Sequence, residues 1–153
     1  MKKEYTNRKY LDALNHKIMV FDGAMGTNLQ KQNLTVAQFG GEKKNGCNDY
    51  LVISYPAVVE NVHRSFLEAG VDVIETCTFR SNRITLAEYC LADRVTEINV
   101  AAAQLARRCA DEYTREGQPP FVAGSIGPTG KLPSMNDPEL SNVSFDELQS
   151  VFC

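Results

Sequence analysis

The sequence lacks the long apolar runs and clustered basic residues that mark several large classes of protein. No stretch of its 153 residues approaches the roughly 18 apolar residues that a membrane helix needs. The charged opening segment, residues 1–17, has no apolar centre of the kind that defines a signal peptide. No Lys/Arg run reaches five, and the net charge is −3. These absences predict a cytoplasmic protein that binds neither membranes nor nucleic acids.

The cysteines do not follow a disulfide or metal-binding spacing. Their number is odd and no two are separated by two residues: Cys47, Cys77, Cys90, Cys109 and Cys153. A cytoplasmic chain keeps its thiols reduced, so these residues predict neither a disulfide framework nor a structural zinc ribbon. We expect Cys90 and Cys109 to be buried as small apolar side chains.

What the sequence does contain is an alternation of short apolar runs and helical patterns. Hydrophobic residues make up 43% and charged residues 23%, which is ordinary usage for one globular domain. Three runs are predicted to be strands buried on both faces: Ile18–Phe21, Val71–Ile74 and Phe121–Ala123. Helical patterns separate them, and this alternation predicts a parallel sheet with right-handed crossovers. The sequence therefore predicts the α/β class.

Two helices are marked by apolar periodicity and by residues typical of helix ends. The first begins near Pro56 and ends at Gly70. Its apolar face holds Val59, Val62 and Phe66. The second runs from about Asp93 to Glu116 and ends before Gly117. Its apolar face is predicted to hold Val95, Ile98, Ala102, Leu105 and Cys109.

Three further segments carry structural information. A helical turn near Ile84–Cys90 is expected to lead into the second helix. The polar segment from Gln30 to Asn48 has no periodicity, and we interpret it as an insertion after the first strand, where long loops are often functional. Ser144 and Glu147 have the S-x-x-E spacing of a capping box, which opens a helix. The apolar face of that helix needs another element packed against it, and three strands do not close a barrel. We therefore expect the chain to be a fragment.

Polar segments follow all three predicted strands, and ligands bind at the carboxyl ends of parallel strands. They are residues 22–27, 75–79 and 124–130. In the first, Asp22 and the amides beside its glycines suit an amino-acid zwitterion, the carboxylate taking the ammonium group and the amides the carboxylate. A phosphate loop is a rival interpretation, although the Walker lysine and the G-x-G-x-x-G spacing are absent. A tight strand-to-helix turn explains the local pattern equally well.

The second polar segment contains Glu75, Thr76 and Cys77. Glu75 would serve as a general acid or base only with a partner and a perturbed pKa, and a structural polar network at the end of its strand explains the residue at least as well. Cys77 would be a nucleophile or zinc ligand only beside a base or a positive charge, and a structural role is favoured. Of the two histidines, His63 lies one position from the apolar face of its helix and is predicted at the surface or its boundary. His16 precedes the first strand, away from these segments.

Several ordered segments resemble the homocysteine-binding domain of cobalamin-dependent methionine synthases, in the homocysteine S-methyltransferase family. The resemblance runs from about Lys17 to the chain end. It rests on residues 18–30 (IMVFDGAMGTNLQ), 46–54 (GCNDYLVIS), 68–79 (EAGVDVIETCTF), 97–107 (EINVAAAQLAR), 122–134 (VAGSIGPTGKLPS) and the turn at 136–138. One such segment alone is a weak signal, whereas several in order are specific. The family usually carries Asn where this chain has Cys77, so no polar contact is carried over to that position.

The resemblance implies a parallel (β/α)8 TIM barrel of which about the first three β/α units are present. Residues 1–17 would be a helical lead-in, and residues 18–153 an incomplete homocysteine-binding domain. Asp22 would hold the amino group of homocysteine, and the amides of Gly23 and Met25 would meet its carboxylate. The full set of implied substrate-binding residues is Asp22, Gly23, Ala24, Met25, Glu75 and Thr76.

The implied reaction transfers a methyl group from methylcobalamin, which receives it from methyltetrahydrofolate, to the thiolate of homocysteine, forming methionine. In the family, zinc held by three cysteines lowers the pKa of the substrate thiol. The resemblance places those cysteines beyond Cys153, so we expect no catalytic or metal-binding residue in this chain, and no activity from it alone. The implied partners are homocysteine and the folate, cobalamin and reactivation domains of a longer parent chain.

Two alternatives stay open at this level. A related homocysteine methyltransferase takes its methyl group from betaine or S-methylmethionine, although the segment from Cys47 to Leu51 favours the cobalamin class. From a different class, the chain would be a metal-free binding or scaffolding module that oligomerises through its unfinished sheet edge. Folate and cobalamin domains downstream would decide for the first reading, and zinc-independent homocysteine binding by an oligomer would favour the module.

Overall fold

The computed structural model describes residues 9–115, 118–133 and 143–152, and within them the chain is an α/β structure. The α-helices in chain order are α1 (Lys9–Leu14), α2 (Met25–Gln30), α3 (Leu51–Ser54), α4 (Pro56–Ala69), α5 (Arg83–Ala87), α6 (Val95–Glu112) and α7 (Phe145–Phe152). The strands are β1 (Val73–Glu75) and β2 (Phe121–Ala123), and short 3-10 helices span Glu42–Lys44, Asn48–Tyr50 and Ala92–Arg94. In this described part of the chain, no helix is long and apolar enough to cross a membrane.

The sheet is parallel, as the sequence predicts. Val73, Ile74 and Glu75 of β1 pair in register with Phe121, Val122 and Ala123 of β2. On its other edge, β1 meets the first predicted strand through one parallel bridge between Phe21 and Val73. The amide of Asp22 donates to the carbonyl of Val73 at 2.9 Å, and that of Asp72 donates to Val20 at 2.8 Å. The three segments thus run side by side and end together.

The predicted limits and burial of the strands need correction. The second strand begins at Val73 rather than Val71, because the amide of Val71 still bonds to Phe66 in the turn that ends α4. The run Ile18–Phe21 forms only a bridge and is not buried on both faces, since Ile18 is 89% and Val20 53% exposed. Phe121–Ala123 has the predicted limits but is only partly buried. A run that joins the sheet only through the Phe21–Val73 bridge leaves the side chains before that bridge open to solvent.

Helices α4 and α6 pack against each other and against the sheet, and they form the core. Pro56 occupies the first turn of α4, and Gly70 caps it in the left-handed region at φ 97°. Both predicted ends are therefore confirmed. On α6, the predicted residues Ile98, Ala102, Leu105 and Cys109 are buried. This helix ends at Glu112, four residues before the predicted end, and Gly117 lies outside the described residues.

Two sequence predictions about burial are wrong. His63 has no exposed surface and faces the core, and neither ring nitrogen has a hydrogen-bond partner among the described residues. Burial lowers the pKa of its imidazole to about 4, so the ring is neutral near pH 7. Cys90 is exposed rather than buried, because it turns the chain after α5 in the left-handed region at φ 57°.

The irregular segment between α2 and α3 is tied to the core by an aromatic clamp. Tyr50 is 6% exposed, with the Lys44 ammonium 4.8 Å from its ring centroid and the Arg94 guanidinium carbon 5.0 Å from it. Arg94 also donates a 2.6 Å hydrogen bond to the Tyr50 hydroxyl. Such cation–π contacts contribute about 0.5–1 kcal/mol each at partly exposed sites. The clamp holds the end of this segment against α6.

The predicted capping box at the start of α7 is confirmed. The amide of Glu147 donates to the Ser144 hydroxyl at 3.2 Å, and the amide of Ser144 donates to the Glu147 carboxylate at 2.9 Å. These bonds satisfy two of the donors that a helix start leaves open. The predicted turn at residues 136–138 lies outside the described residues.

Candidate functional site

A cavity of about 710 Å³ opens at the carboxyl ends of the three parallel segments. Its walls come from residues 22–26, from the loop after β1, from residues 46–49 and from Ser125 after β2. All six residues that the resemblance assigns to substrate binding line it: Asp22, Gly23, Ala24, Met25, Glu75 and Thr76. They meet because parallel strands that end together bring their following loops to one edge.

Asp22 is the half-buried acid of this cavity. Its two carboxylate oxygens each accept from the backbone N–H of Glu75 at 3.1 Å. Burial raises the pKa of Asp22 to about 6, and the nearby charge of Glu75 adds to this rise, while the Glu75 N–H opposes it. Burial and the charge of Glu75 both disfavour the ionised form of Asp22. A bound cation would relieve this cost, so the site is suited to a cationic group.

The turn after Asp22 supplies backbone donors. No side chain caps α2, and among the described residues the amide N–H groups of Gly23, Ala24 and Met25 donate to no partner. A side chain at Gly23 would place its Cβ 3.5 Å from the Phe66 ring, so the turn lies close against α4. Exposed amides beside a carboxylate fit the two charges of an amino-acid zwitterion.

A buried hydroxyl network joins the ends of β1 and β2. The amide of Ser125 donates to the Thr76 hydroxyl at 3.0 Å, and the Thr78 hydroxyl donates to the Ser125 carbonyl at 2.8 Å. The two threonine hydroxyls lie 2.6 Å apart, so that of Thr76 donates to that of Thr78. Thr76 is only 6% exposed. Its hydroxyl therefore shapes the cavity wall and has its hydrogen bonds satisfied within the protein.

Ser125 is one of the cavity residues that the sequence prediction omitted. Its hydroxyl donates to the exposed Glu75 carboxylate at 3.1 Å. The feature of the sequence that could have identified it is its position in the polar segment after β2, four residues after Phe121. Gly127 follows it where a Cβ would lie 2.2 Å from the backbone oxygen of Phe79. The two loops can approach this closely only because Gly127 has no side chain.

Two cysteines and a buried acid, Asp49, also line the cavity. The Cys77 thiol is buried and donates to the Asn48 carbonyl at 3.6 Å. Burial raises the pKa of the Cys47 thiol to about 11 and that of Cys77 further still, so both are protonated near pH 7. Asp49 accepts from the backbone N–H of Arg80 at 3.0 Å, and burial raises its pKa.

The described residues do not fit a zinc centre. Among them, no three His, Cys, Asp or Glu side chains lie together in a way that would hold a metal ion. Within the described ranges, the cavity therefore brings together no set of metal ligands.

Comparison with known proteins identifies the relatives of this arrangement. The family model described as homocysteine S-methyltransferase matches residues 19–153. The chain is 43% identical over 129 residues to the methionine synthase of Mycobacterium tuberculosis, covering 84% of this chain and 11% of that protein. It is 42% identical, again over 84% of its length, to the methionine synthase of Mycobacterium leprae. The chain thus spans about a tenth of the length of these curated relatives.

Solved structures show the same fold. The metallated form of the homocysteine methyltransferase MmuM from Escherichia coli matches with a TM-score of 0.61 at 21% identity, over 79% of this chain and 41% of that one. Its oxidised form matches with a TM-score of 0.62 at 23% identity. At this identity the likeness speaks for the fold alone, an α/β architecture with a parallel sheet.

Proposed function

The chain belongs to the homocysteine S-methyltransferase family, and from that premise we propose that its cavity binds the amino-acid end of homocysteine. The Asp22 carboxylate receives the ammonium group, and the amides of Gly23 and Met25 receive the carboxylate. Ala24, Glu75 and Thr76 complete this side of the cavity. The observation that carries the proposal is the half-buried Asp22 carboxylate beside unpaired amides at the mouth of a cavity.

The reaction proposed for the longer parent protein is that of a methionine synthase. Homocysteine would take a methyl group from methylcobalamin, supplied in turn by methyltetrahydrofolate, with the folate, cobalamin and reactivation domains as partners. Identity of 42–43% to two methionine synthases supports this donor over betaine or S-methylmethionine. Zinc bound elsewhere in the parent would lower the pKa of the homocysteine thiol and so favour its thiolate. The residues described here hold and orient the amino-acid end of the substrate.

We further propose that the three parallel segments are the first three β/α units of a (β/α)8 barrel. Residues 18–153 would form this part of the barrel, and residues 1–17 its helical lead-in. The shared strand direction, the sequential strand order and the cavity at the carboxyl ends support the proposal. Tyr10 of α1 stacks edge-on against Phe21 and Phe121, which supports the lead-in as a separate element packed on the sheet.

Calorimetric titration of the purified chain with L-homocysteine tests the binding site. Asp22→Asn should weaken binding about tenfold or more, because a charge-assisted hydrogen bond contributes roughly 1.5–3 kcal/mol. The exposed Asp12 on α1 provides the matched control, and Asp12→Asn should bind as the parent chain does. 4-Mercaptobutanoate lacks the amino group, so its affinity should be weak and insensitive to Asp22→Asn. Equal affinity of both chains for homocysteine would contradict the assigned role of Asp22.

A further inference from the structure

Ser125 lies where the end of β2 meets the end of β1, and its polar groups contact three different residues. Its amide donates to the Thr76 hydroxyl at 3.0 Å, and its carbonyl accepts from the Thr78 hydroxyl at 2.8 Å. These two backbone bonds fix the position of the residue. The side-chain hydroxyl then donates to the Glu75 carboxylate at 3.1 Å.

The Glu75 carboxylate has little other support. Its side chain is exposed at the cavity mouth, and within the described part of the chain the Ser125 hydroxyl is its hydrogen-bond partner. The backbone N–H of Glu75 is already bound to the two oxygens of Asp22. The two acids are therefore linked in series, from Asp22 through the backbone of Glu75 to the hydroxyl of Ser125.

We propose that Ser125 is a positioning residue that holds the Glu75 carboxylate beside Asp22, so that the cavity presents two carboxylates to the ammonium group of its ligand. The inference rests on the proposed function and adds the selection of a protonated amine to it. Charge-assisted hydrogen bonds to two acceptors favour a free ammonium group over an acylated nitrogen, which carries no charge. Ser125 contributes this preference without touching the ligand.

The arrangement has an electrostatic signature that does not require a ligand. The charge of Glu75 helps to raise the pKa of Asp22, after the larger effect of burial. The other titratable groups that line the cavity are Cys47, Asp49, Cys77, Arg80 and Tyr89. None of these bonds to the Ser125 hydroxyl, and Arg80 is paired with Glu88 at 2.8 Å. Loss of the hydroxyl should therefore act on Asp22 through Glu75.

The test follows the titration of Asp22 by NMR, from its side-chain carboxyl carbon, in the ligand-free chain. Ser125→Ala removes the hydroxyl and keeps both backbone bonds, so Glu75 turns toward water and the Asp22 midpoint falls by about 0.5 pH unit, the size of a weak charge coupling near a surface. Ser125→Thr keeps a hydroxyl and should restore the parent midpoint. Ser65→Ala, on α4, is the control for hydroxyl loss elsewhere. Glu75→Gln removes the Glu75 charge altogether and should give the largest fall in the Asp22 midpoint. Adding Ser125→Ala to Glu75→Gln should not change that midpoint further.

Binding is then measured for L-homocysteine and for N-acetyl-L-homocysteine in the same variants. Ser125→Ala should reduce the preference for the free amine about threefold, and Ser125→Thr should recover it. An Asp22 midpoint unchanged by Ser125→Ala would overturn the inference, as would a further shift in the Glu75→Gln background. If the midpoint shifts as expected but the parent chain does not bind homocysteine, the proposed function fails while the positioning of Glu75 stands.

Discussion

Replacing Asp22 by asparagine should stabilise the ligand-free protein at neutral pH, at the same position where it weakens ligand binding. The pKa of Asp22 is about 6 in the folded chain, against an ordinary value of 3.8. The folded state therefore holds the proton more tightly than the unfolded state. The free energy of unfolding falls as the pH rises from about 4 to 6 and stays lower above that range. An asparagine does not titrate and avoids this loss.

The size of the effect follows from the shift. Each pKa unit corresponds to about 1.4 kcal/mol, so a shift from 3.8 to about 6 sets an upper limit of roughly 3 kcal/mol. Asp22 is only half-buried, and solvent screening reduces this to about 1–2 kcal/mol. Asparagine keeps a carbonyl oxygen that accepts from the Glu75 N–H, so the local geometry is retained.

Urea denaturation at several pH values measures this gain. The difference in unfolding free energy between Asp22→Asn and the parent chain should be close to zero below pH 4 and should reach its plateau above pH 7. The Asp12→Asn control should show no such pH-dependent gain. A variant that is less stable than the parent at pH 8, or a gain that does not shrink in acid, would refute the reasoning from burial.

Two further predictions concern residues outside the ligand contacts. His63→Leu should raise the free energy of unfolding at pH 7 by about 1 kcal/mol, because it removes two buried nitrogens without partners among the described residues. It should also remove an acid sensitivity, because the folded pKa of about 4 lies below the ordinary 6.5. His63 therefore costs stability as the pH falls from 6.5 toward 4, by at most about 3.4 kcal/mol. Thermal unfolding across this pH range checks both effects. They would be contradicted if His63→Leu lost as much stability between pH 6.5 and 4 as the parent chain does. Gly127→Ala should destabilise the chain by about 1–3 kcal/mol and weaken homocysteine binding, since its Cβ would lie 2.2 Å from the Phe79 oxygen. Gly124, where an added Cβ would meet no atom within 4 Å, gives the matched alanine control.

Features set by neighbouring residues in the chain were predictable from the sequence. Gly70 ends α4 and Ser144 caps α7 because each acts within one helical turn. The grouping of Asp22 and Glu75 was also predictable, since it needs only the rule that parallel strands end at one edge. Fold class and the location of the cavity both follow from such local patterns.

Features that depend on distant packing were not predictable in the same way. The exposure of Ile18 depends on which elements cover the sheet. Its apolar character alone predicted that it would be buried. His63 is buried because the elements packed on α4 cover a wider face of it than the periodicity of Val59 and Val62 indicates. Ser125 acts through Glu75, fifty positions earlier in the chain, and no spacing rule connects the two.

The clamp around Tyr50 couples the preceding loop to the cavity wall. Lys44 belongs to that loop and lies over the Tyr50 ring, and Tyr50 directly follows residues 47–49 of the wall. The amide of Lys44 in turn donates to the carbonyl of Gly41 at 3.0 Å. An insertion after Gly41 should therefore disturb the position of Lys44 and, through Tyr50, the cavity wall, although an added Cβ at Gly41 itself would meet no atom within 4 Å. The loop and the wall thus behave as one unit, and a label placed in the loop would respond to changes in the cavity.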